Sequence, residues 1–287
     1  MNFDSTSRYL ETASGRQHYN EAGEGPPLLF LHGSGPGVSG WTNFGDNLPA
    51  FTPHFRCLVL DLPGYGRSDP AAGHPITAGV DAVRNFLDAL DIARADLLGN
   101  SYGAIVGCHL AANYPQRVRR FVTLGGFGFT PFAPFPAEGI LRLVEFVEEP
   151  TRERLVTWMK SMVFDERVLT EAMIDARYKT ACEPKIMATS KVMYSRAGIA
   201  AIAERMRGPD ALADIAHLPR IKCPTLILWG RDDRVNPLDG ALLPMRSIPD
   251  CELHVFPNCG HWAMIERKAQ FEQVALGFLL RNGLDVA

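Results

Sequence analysis

The chain has 287 residues, enough for one large α/β domain with room for an inserted subdomain. Hydrophobic residues make up 46% and charged residues 21%, and the net charge of −3 gives no sign of a nucleic-acid-binding surface or a membrane-docking basic run. No stretch reaches the roughly 18 apolar residues of a membrane span, and the N-terminus lacks the apolar core of a secretory signal, so we expect a cytoplasmic protein.

Short apolar runs with glycine-rich ends predict buried parallel strands, because such strands are covered on both faces. The runs are Leu28 to Leu31, Phe55 to Leu62, Ala95 to Leu98, Phe121 to Leu124, Thr225 to Trp229 and Glu252 to Phe256. Helical patterns alternate with them, for example at Val80, Val83, Leu87 and Leu90. The alternation predicts an α/β fold with a doubly wound, mostly parallel sheet, which binds ligands at the carboxyl edge of its strands.

The alternation stops between residues 131 and 214. Apolar residues there have helical spacing, and prolines crowd the entry to the segment. We expect a helical lid at 131–214, inserted between a first core part at 1–130 and a second at 215–287.

The sequence Gly99-Asn100-Ser101-Tyr102-Gly103 fits the pattern G-x-S-x-G. A predicted strand precedes it and a helix-like run follows, which is the context of a nucleophile on a sharp strand-to-helix turn. Ser101 is therefore the candidate nucleophile. A serine hydroxyl is a weak nucleophile at neutral pH and needs a base.

Two later motifs supply the rest of a catalytic triad in the chain order Ser, Asp, His. His261 follows the last predicted strand, in the sequence NCGHW, and Asp233 follows the strand before it, in GRDDRVNP. The carboxylate would fix the tautomer of the imidazole and stabilise its protonated form. Asp232 competes with Asp233 for this role, and spacing alone does not separate them.

Acyl-transfer chemistry also needs N–H donors for the developing oxyanion. The residue after the nucleophile, Tyr102, offers its backbone N–H. The second donor should come from the loop His32-Gly33-Ser34-Gly35-Pro36-Gly37, which follows an earlier strand. Ser34 N–H is the first choice there and Gly35 N–H is the second.

Several motifs together resemble the meta-cleavage product hydrolases, a family of serine-dependent carbon–carbon bond hydrolases within the α/β-hydrolase superfamily. The resemblance runs from about residue 28 to about residue 279 and implies an α/β-hydrolase fold. The motifs that carry it are HGSGPGVSGWTNF, LLGNSYG, FAPFPAEGI, WGRDDRVNPLDGA and LHVFPNCGHW. The same resemblance favours Asp233 over Asp232.

The resemblance implies hydrolysis of a 2-hydroxy-6-oxohexa-2,4-dienoate, made by extradiol ring opening in aromatic degradation, to 2-hydroxypenta-2,4-dienoate and a carboxylic acid. Arg177 matches the family's substrate-binding arginine, and its planar fork suits a carboxylate. Asn43, Asn100 and Trp262 match other pocket positions. Family members tend to be homo-oligomers, so we expect one here.

The chain departs from the family pattern near the nucleophile. Relatives often have glycine at the Ser34 and Ala104 positions, and Met or Leu at the Tyr102 position. The backbone amides survive these changes, but the shape of the acyl-side pocket does not follow from the resemblance. The sequence also leaves open whether the C6 substituent is alkyl, aryl or a larger ring fragment, and how long an acyl-enzyme lives.

Two other functions stay open on the same residues. A carboxylesterase or amidase would keep the triad without needing Arg177, and a non-catalytic receptor would use the pocket only to bind. The six cysteines are scattered without CxxC spacing, and there is no nucleotide-binding fingerprint. We therefore expect reduced thiols, no cofactor and no metal, with a small-molecule substrate and no nucleic-acid or membrane partner.

Overall fold

An eight-stranded sheet forms the centre of the protein in the computed structural model, which describes residues 1–127, 130–208 and 211–281. The strands are β1 (Ser7–Thr12), β2 (Gly15–Ala22), β3 (Pro27–Leu31), β4 (Arg56–Leu60), β5 (Ala95–Asn100), β6 (Val118–Leu124), β7 (Thr225–Gly230) and β8 (Cys251–Phe256). Their spatial order is β1-β2-β4-β3-β5-β6-β7-β8. From β4 onward along this order, neighbouring strands pair in parallel.

Two antiparallel strands at one edge of the sheet were not predicted. β1 and β2 form a hairpin, and β2 also pairs antiparallel with β4. The N-terminal segment is polar, and β1 lies at the sheet edge with most of its residues accessible. An edge strand needs no continuous apolar run, so the signal that identified the buried strands is absent here.

The thirteen α-helical segments of the described residues include several single turns. They are α1 (Phe3–Thr6), α2 (Gly40–Phe44), α3 (Leu48–Phe51), α4 (Pro75–Ala89), α5 (Tyr102–Asn113), α6 (Glu138–Glu148), α7 (Arg152–Ser161), α8 (Glu171–Ala181), α9 (Pro184–Met193), α10 (Arg196–Arg207), α11 (Leu242–Ser247), α12 (Ala263–Glu266) and α13 (Lys268–Leu279). Short 3₁₀ turns cover Gly45–Asn47, Pro115–Arg117, Glu166–Val168, Ala213–Ile215, Leu218–Arg220 and Leu238–Ala241.

Alternate residues of the buried strands point into two hydrophobic cores, one on each face of the sheet. In β3, Leu28 and Phe30 pack with α2, α3 and α13, whereas Leu29 and Leu31 pack with α4 and α5. Both faces are covered, as the apolar runs require. The predicted doubly wound, mostly parallel sheet is confirmed.

Helices α6 to α10 lie between β6 and β7 and form a helical insertion. Hydrogen bonds fasten it to the loops that follow the parallel strands: Met162 O accepts from His261 N–H at 2.7 Å, and Gly139 N–H donates to Arg234 O at 2.8 Å. On the opposite side, Arg177 Nε donates to Pro36 O at 2.6 Å. The insertion therefore covers the carboxyl edge of the sheet. Of the predicted segments 131–214 and 215–287, residues 209–210 and 282–287 lie outside the described residues.

Within the described part of the chain, no helix has the length and apolar character that a bilayer crossing requires.

Candidate active site

Ser101 lies in the sharp turn between β5 and α5. Its backbone has φ 51° and ψ −114°, a strained combination for a residue with a side chain. Two glycines permit the turn, because a Cβ on Gly103 would lie 2.1 Å from the carbonyl oxygen of Leu31, and one on Gly99 would lie 2.7 Å from Ala104 Cα. Strain of this kind persists only where the surrounding structure imposes it, which fits a nucleophile held above the sheet edge.

His261 and Asp233 form a buried pair in the loops after β8 and β7. The distance from His261 Nδ1 to Asp233 Oδ2 is 2.6 Å. The other carboxylate oxygen accepts the N–H groups of Val235 at 2.7 Å and Asn236 at 2.9 Å. The carboxylate is thus held from one side while it orients the imidazole on the other, the arrangement that fixes a histidine tautomer in a triad.

Asp232, the competing aspartate, has a different environment. Its Oδ2 accepts the N–H of Cys259 at 3.3 Å and lies 3.3 Å from the guanidinium of Arg231. This carboxylate contacts the turns at the ends of β7 and β8, whereas the imidazole is hydrogen-bonded to Asp233. The geometry favours Asp233, as the resemblance did.

The end of β6 brings Ser101 and the His261–Asp233 pair to one place. A Cβ on Gly125 would lie 3.1 Å from His261 Nδ1 and 3.4 Å from Asp233 Oδ2, and one on Gly126 would lie 2.9 Å from Ser101 Cα. Ser101 and His261 also line the same cavity, whose volume is about 830 Å³. The hydrogen bond from the Ser101 hydroxyl to the imidazole stays a prediction.

The loop after β3 is held by bonds that set the orientation of its peptides. His32 Nδ1 donates to Gly33 O at 2.5 Å, while His32 Nε2 accepts the N–H of Leu62 at 2.9 Å. Asn43 Oδ1 accepts the N–H of Gly33 at 3.1 Å. Because a trans peptide directs its C=O and N–H to opposite sides, anchoring Gly33 O also fixes the direction of Ser34 N–H. Ser34 and Gly35 both line the cavity.

Tyr102 opens α5 directly after Ser101, and its side chain also borders the cavity. Its hydroxyl donates to Pro75 O at 2.7 Å, which ties the start of α5 to the start of α4. Burial raises the pKa of the Tyr102 phenol well above its usual value, so the hydroxyl stays protonated at neutral pH. The bulky replacement noted in the sequence therefore forms part of the cavity wall.

Arg177 extends from α8 into the cavity. Its guanidinium lies over the rings of Trp158 and Trp262, with centroid distances of 5.5 and 5.7 Å. Burial lowers its pKa to about 10, so it is charged at neutral pH. Among the described residues, no carboxylate pairs with Arg177 within 4.0 Å. A desolvated cation without a counter-charge is costly and is a ready partner for an anion.

Asn43, Asn100 and Trp262 all line the cavity, as the resemblance implied. Asn43 Nδ2 is buried and has no hydrogen-bond partner among the described residues, so this amide keeps an unused donor beside the cavity. Asn100 Nδ2 donates to Leu124 O at 3.3 Å, an anchor for the end of β5. Asn43, Arg177 and Trp262 also border a second, smaller cavity of about 280 Å³.

Some residues of the site were not identified from the sequence. His32 orients the loop after β3. Its position at the start of the HGSG motif was the signal that could have identified it. Asn236 donates through Nδ2 to Gly125 O at 2.6 Å and so supports the glycine beside the His261–Asp233 pair. Tyr194 follows α9 and reaches Ser34, and no sequence pattern marks it, because the contact joins residues 160 positions apart.

The described residues contain no group of three or more His, Cys, Asp or Glu side chains arranged to hold a metal ion.

Comparisons with known proteins identify the family. The family described as "alpha/beta hydrolase fold" matches residues 26–268. The 2-hydroxy-6-oxononadienedioate/2-hydroxy-6-oxononatrienedioate hydrolase of Escherichia coli O139:H28 is 37% identical over 96% of both chains.

Solved structures agree with this assignment. A mutant of the meta-cleavage product hydrolase CumD of Pseudomonas fluorescens IP01, complexed with acetates, is 27% identical and has a TM-score of 0.84, covering 95% of this chain and 97% of that one. The fold is also similar to that of 2-hydroxy-6-oxo-6-phenylhexa-2,4-dienoate hydrolase from Rhodococcus sp. strain RHA1, with 24% identity, a TM-score of 0.82 and coverage of 96% and 100%. The chain belongs to the meta-cleavage product hydrolase family of the α/β-hydrolase superfamily.

Proposed function

We propose that this protein hydrolyses a carbon–carbon bond in a 2-hydroxy-6-oxohexa-2,4-dienoate-type meta-cleavage product. The products are 2-hydroxypenta-2,4-dienoate and a carboxylic acid, in the degradation of aromatic compounds. The observation that carries the proposal is Arg177: a charged guanidinium, without a carboxylate partner among the described residues, lines the same cavity as Ser101 and His261. An ester hydrolase has no need of such a cation, whereas a dienoate carries a carboxylate next to its 2-oxo group.

In the proposed reaction, His261 first helps to convert the 2-hydroxydienoate to its 2-oxo form. Ser101 then loses its proton to His261 and attacks the C6 ketone, and the N–H groups of Ser34 and Tyr102 hold the oxyanion. Collapse of the tetrahedral adduct breaks the C5–C6 bond. The electron pair passes through the 2-oxo fragment to its 2-oxygen, and this dienolate takes up at that oxygen the proton that Ser101 gave to His261, which forms 2-hydroxypenta-2,4-dienoate. Water then hydrolyses the remaining acyl-enzyme.

The charge on Arg177 has two roles in this scheme. It binds the carboxylate in the ground state, and it stabilises the electrons that move toward the 2-oxo oxygen when the C5–C6 bond breaks. Only the second role is stronger in the transition state than in the ground state, so only that role raises kcat. The indole rings of Trp158 and Trp262 meet edge to face beside the guanidinium, and by excluding water they strengthen both interactions.

The test compares the turnover of a yellow dienolate substrate with that of a p-nitrophenyl ester. We expect Arg177→Ala to lower kcat/KM for the dienoate about 100-fold, because removing one partner of a buried charge pair costs several kcal/mol. Ester turnover should change by less than about threefold, since it uses only the triad and oxyanion donors. Arg167→Ala is the matched control, because Arg167 lies in the same insertion with its side chain 90% exposed and paired with Asp165.

A wild-type protein that turns over esters faster than any dienoate, with both activities insensitive to Arg177→Ala, would overturn the proposal. A protein that binds a dienoate tightly but converts neither substrate would point instead to a receptor.

We further propose that residues 131–214 act as a lid over the site, that the protein is a homo-oligomer, and that it works in the cytoplasm. Hydrogen bonds from the insertion to the loops after β3, β7 and β8 support the first idea. Six free cysteines fit a reducing compartment. Light scattering of the purified protein tests the assembly.

A further inference from the structure

Ser34, the proposed oxyanion donor, is held by two tyrosines that come from different parts of the fold. Its carbonyl oxygen accepts the hydroxyl of Tyr65 at 3.2 Å. Its side-chain hydroxyl is hydrogen-bonded to the hydroxyl of Tyr194. Tyr65 belongs to the loop after β4, in the core, and Tyr194 belongs to the helical insertion. The second bond is possible because residue 34 carries a side-chain hydroxyl.

Tyr194 is placed to hold this bond. It follows α9, is 9% exposed and lines the cavity together with Ser34, Ser101 and Tyr102. Burial raises the pKa of the Tyr194 phenol, so at neutral pH the hydroxyl keeps its proton and can share a hydrogen bond with Ser34 Oγ. Ser34 is itself buried, so loss of the tyrosine hydroxyl would remove this partner from a buried Ser34 Oγ.

The two tyrosines are linked through α9. Thr189 Oγ1 donates to Gly64 O at 3.3 Å, and Lys185 Nζ donates to Ser68 O, so α9 is fastened to the same loop that carries Tyr65. The contacts form a closed ring from Ser34 through Tyr65 and the loop 64–68 to α9, and back through Tyr194. A shift of α9 would therefore alter the position of Ser34 from two sides at once.

We propose that Tyr194 is a positioning residue that couples the seating of the insertion to the assembly of the oxyanion hole. With α9 docked, the hydroxyl of Tyr194 holds Ser34 so that its N–H is preorganised for the oxyanion that forms at C6. When α9 moves away, this restraint is lost and the hole loses its alignment. The inference rests on the proposed serine mechanism, but it applies to any acyl transfer at Ser101, since esters form an oxyanion at the same place.

The test is Tyr194→Phe, which keeps the ring and removes the hydroxyl. We expect kcat for the dienoate to fall about tenfold with KM nearly unchanged, because a misaligned donor weakens the transition state more than the ground state. The rate constant of the acylation burst with a p-nitrophenyl ester should fall by a similar factor. Affinity for a boronic acid that forms a tetrahedral adduct on Ser101 should fall about tenfold as well. Dienoate binding to the Ser101→Ala protein should be unaffected by adding Tyr194→Phe.

Two further variants separate positioning from general structural support. Tyr178→Phe removes another tyrosine hydroxyl of the insertion. That hydroxyl donates to Pro150 O, with an O–O distance of 3.1 Å, and it is not bonded to Ser34, so this variant should behave as wild type. Ser34→Ala should lower kcat, and adding Tyr194→Phe to it should cause little further loss, because both remove the same bond.

The inference is overturned if Tyr194→Phe leaves the boronate affinity and the rate constant of the ester burst at their wild-type values. It is also overturned if the loss of kcat in Tyr194→Phe simply adds to the loss in Ser34→Ala. Melting curves identify a variant that fails to fold; in that case Ser34→Ala alone must lower boronate affinity for the inference to stand. A wild type that cleaves esters but no dienoate would remove the proposed function and leave the ester and boronate tests of Tyr194 intact.

Discussion

At the scale of single residues, the two neighbouring aspartates after β7 make different contacts and therefore have different roles. Asp233 accepts two backbone N–H groups and binds His261, whereas Asp232 faces Arg231 and the turn at Cys259. Only the first can set the tautomer of the imidazole.

We predict that Asp233→Asn lowers kcat about 10⁴-fold, because an amide in this place favours the wrong imidazole tautomer. Asp232→Asn, the matched control one residue away, should retain kcat within about tenfold, since the triad is untouched. Steady-state kinetics on a dienoate or an ester measures both. A larger loss in Asp232→Asn than in Asp233→Asn would reverse the assignment.

Gly125 matters to the site because it has no side chain. Its φ is +60°, and an added Cβ would lie 3.1 Å from the His261 ring. We expect Gly125→Ala to destabilise the fold by about 1–2 kcal/mol through backbone strain and to lower kcat by displacing the imidazole.

Gly277 provides the comparison for that variant, because a Cβ there would meet no atom of the described residues within 4 Å and its backbone is helical. Gly277→Ala should stabilise the protein by about 0.5–1 kcal/mol and leave kcat unchanged. Urea unfolding and kcat measured on both variants check the pair; equal kcat values for the two alanine variants would contradict the role of Gly125.

The candidate triad could be proposed from the sequence because each of its members follows a strand of the parallel part of the sheet. The parallel arrangement brings the ends of such strands to one edge whatever the loops do. His32, Asn236 and Tyr194 act through contacts with backbone or with one distant side chain, and such contacts depend on loop and insertion geometry that leaves no periodic signal. Residue type and spacing therefore suggested candidate reacting groups but not the groups that contact and orient them.

At the scale of elements, the loop after β4 is organised around one carboxylate. Asp61 Oδ1 accepts the N–H of Gly40 at 2.7 Å, and Asp61 Oδ2 accepts the N–H of Arg67 at 2.9 Å and lies 2.7 Å from His18 Nδ1. The bond to His18 ties the unpredicted strand β2 to this loop. The polar N-terminal hairpin is thus fixed by a buried polar network, which explains why apolar patterning did not reveal it.

We predict that Asp61→Ala destabilises the protein by about 3–5 kcal/mol, since it leaves several buried donors without an acceptor. Asp88→Ala is the control: that carboxylate is 54% exposed, and its pair with Arg117 should contribute about 0–1 kcal/mol. Chemical denaturation of both variants measures the difference. A cost below about 1 kcal/mol for Asp61→Ala would show that the network is not needed for stability.

At the scale of the whole molecule, the core and the insertion meet at the loop after β3. The core holds that loop through His32, Asn43 and Tyr65, and the insertion holds it through Arg177 and Tyr194. One of these contacts comes from Arg177, the residue proposed to bind substrate, so we expect a carboxylate bound there to affect the alignment of the proposed oxyanion donors.

The same loop should make stability depend on pH, through His32. This imidazole is completely buried, and burial lowers its pKa below the ordinary value of 6.5. Protonation would also place a hydrogen on Nε2, which now accepts the N–H of Leu62. The unfolded chain therefore binds a proton more readily than the folded protein. The contribution of His32 is fully present above pH 6.5 and is lost as the pH falls from 6.5 toward the lowered folded pKa.

We expect the free energy of unfolding to decrease below pH 6.5 by up to about 1.4 kcal/mol per pH unit from this residue. Denaturation between pH 7.5 and 5.5 measures the slope, and His32→Asn should flatten it while lowering stability at every pH. Exposed His54, replaced in the same way, controls for the loss of a histidine and should keep the wild-type slope. A His32→Asn protein with an unchanged slope would mean that the acid sensitivity arises elsewhere and that the imidazole is not held neutral by its burial.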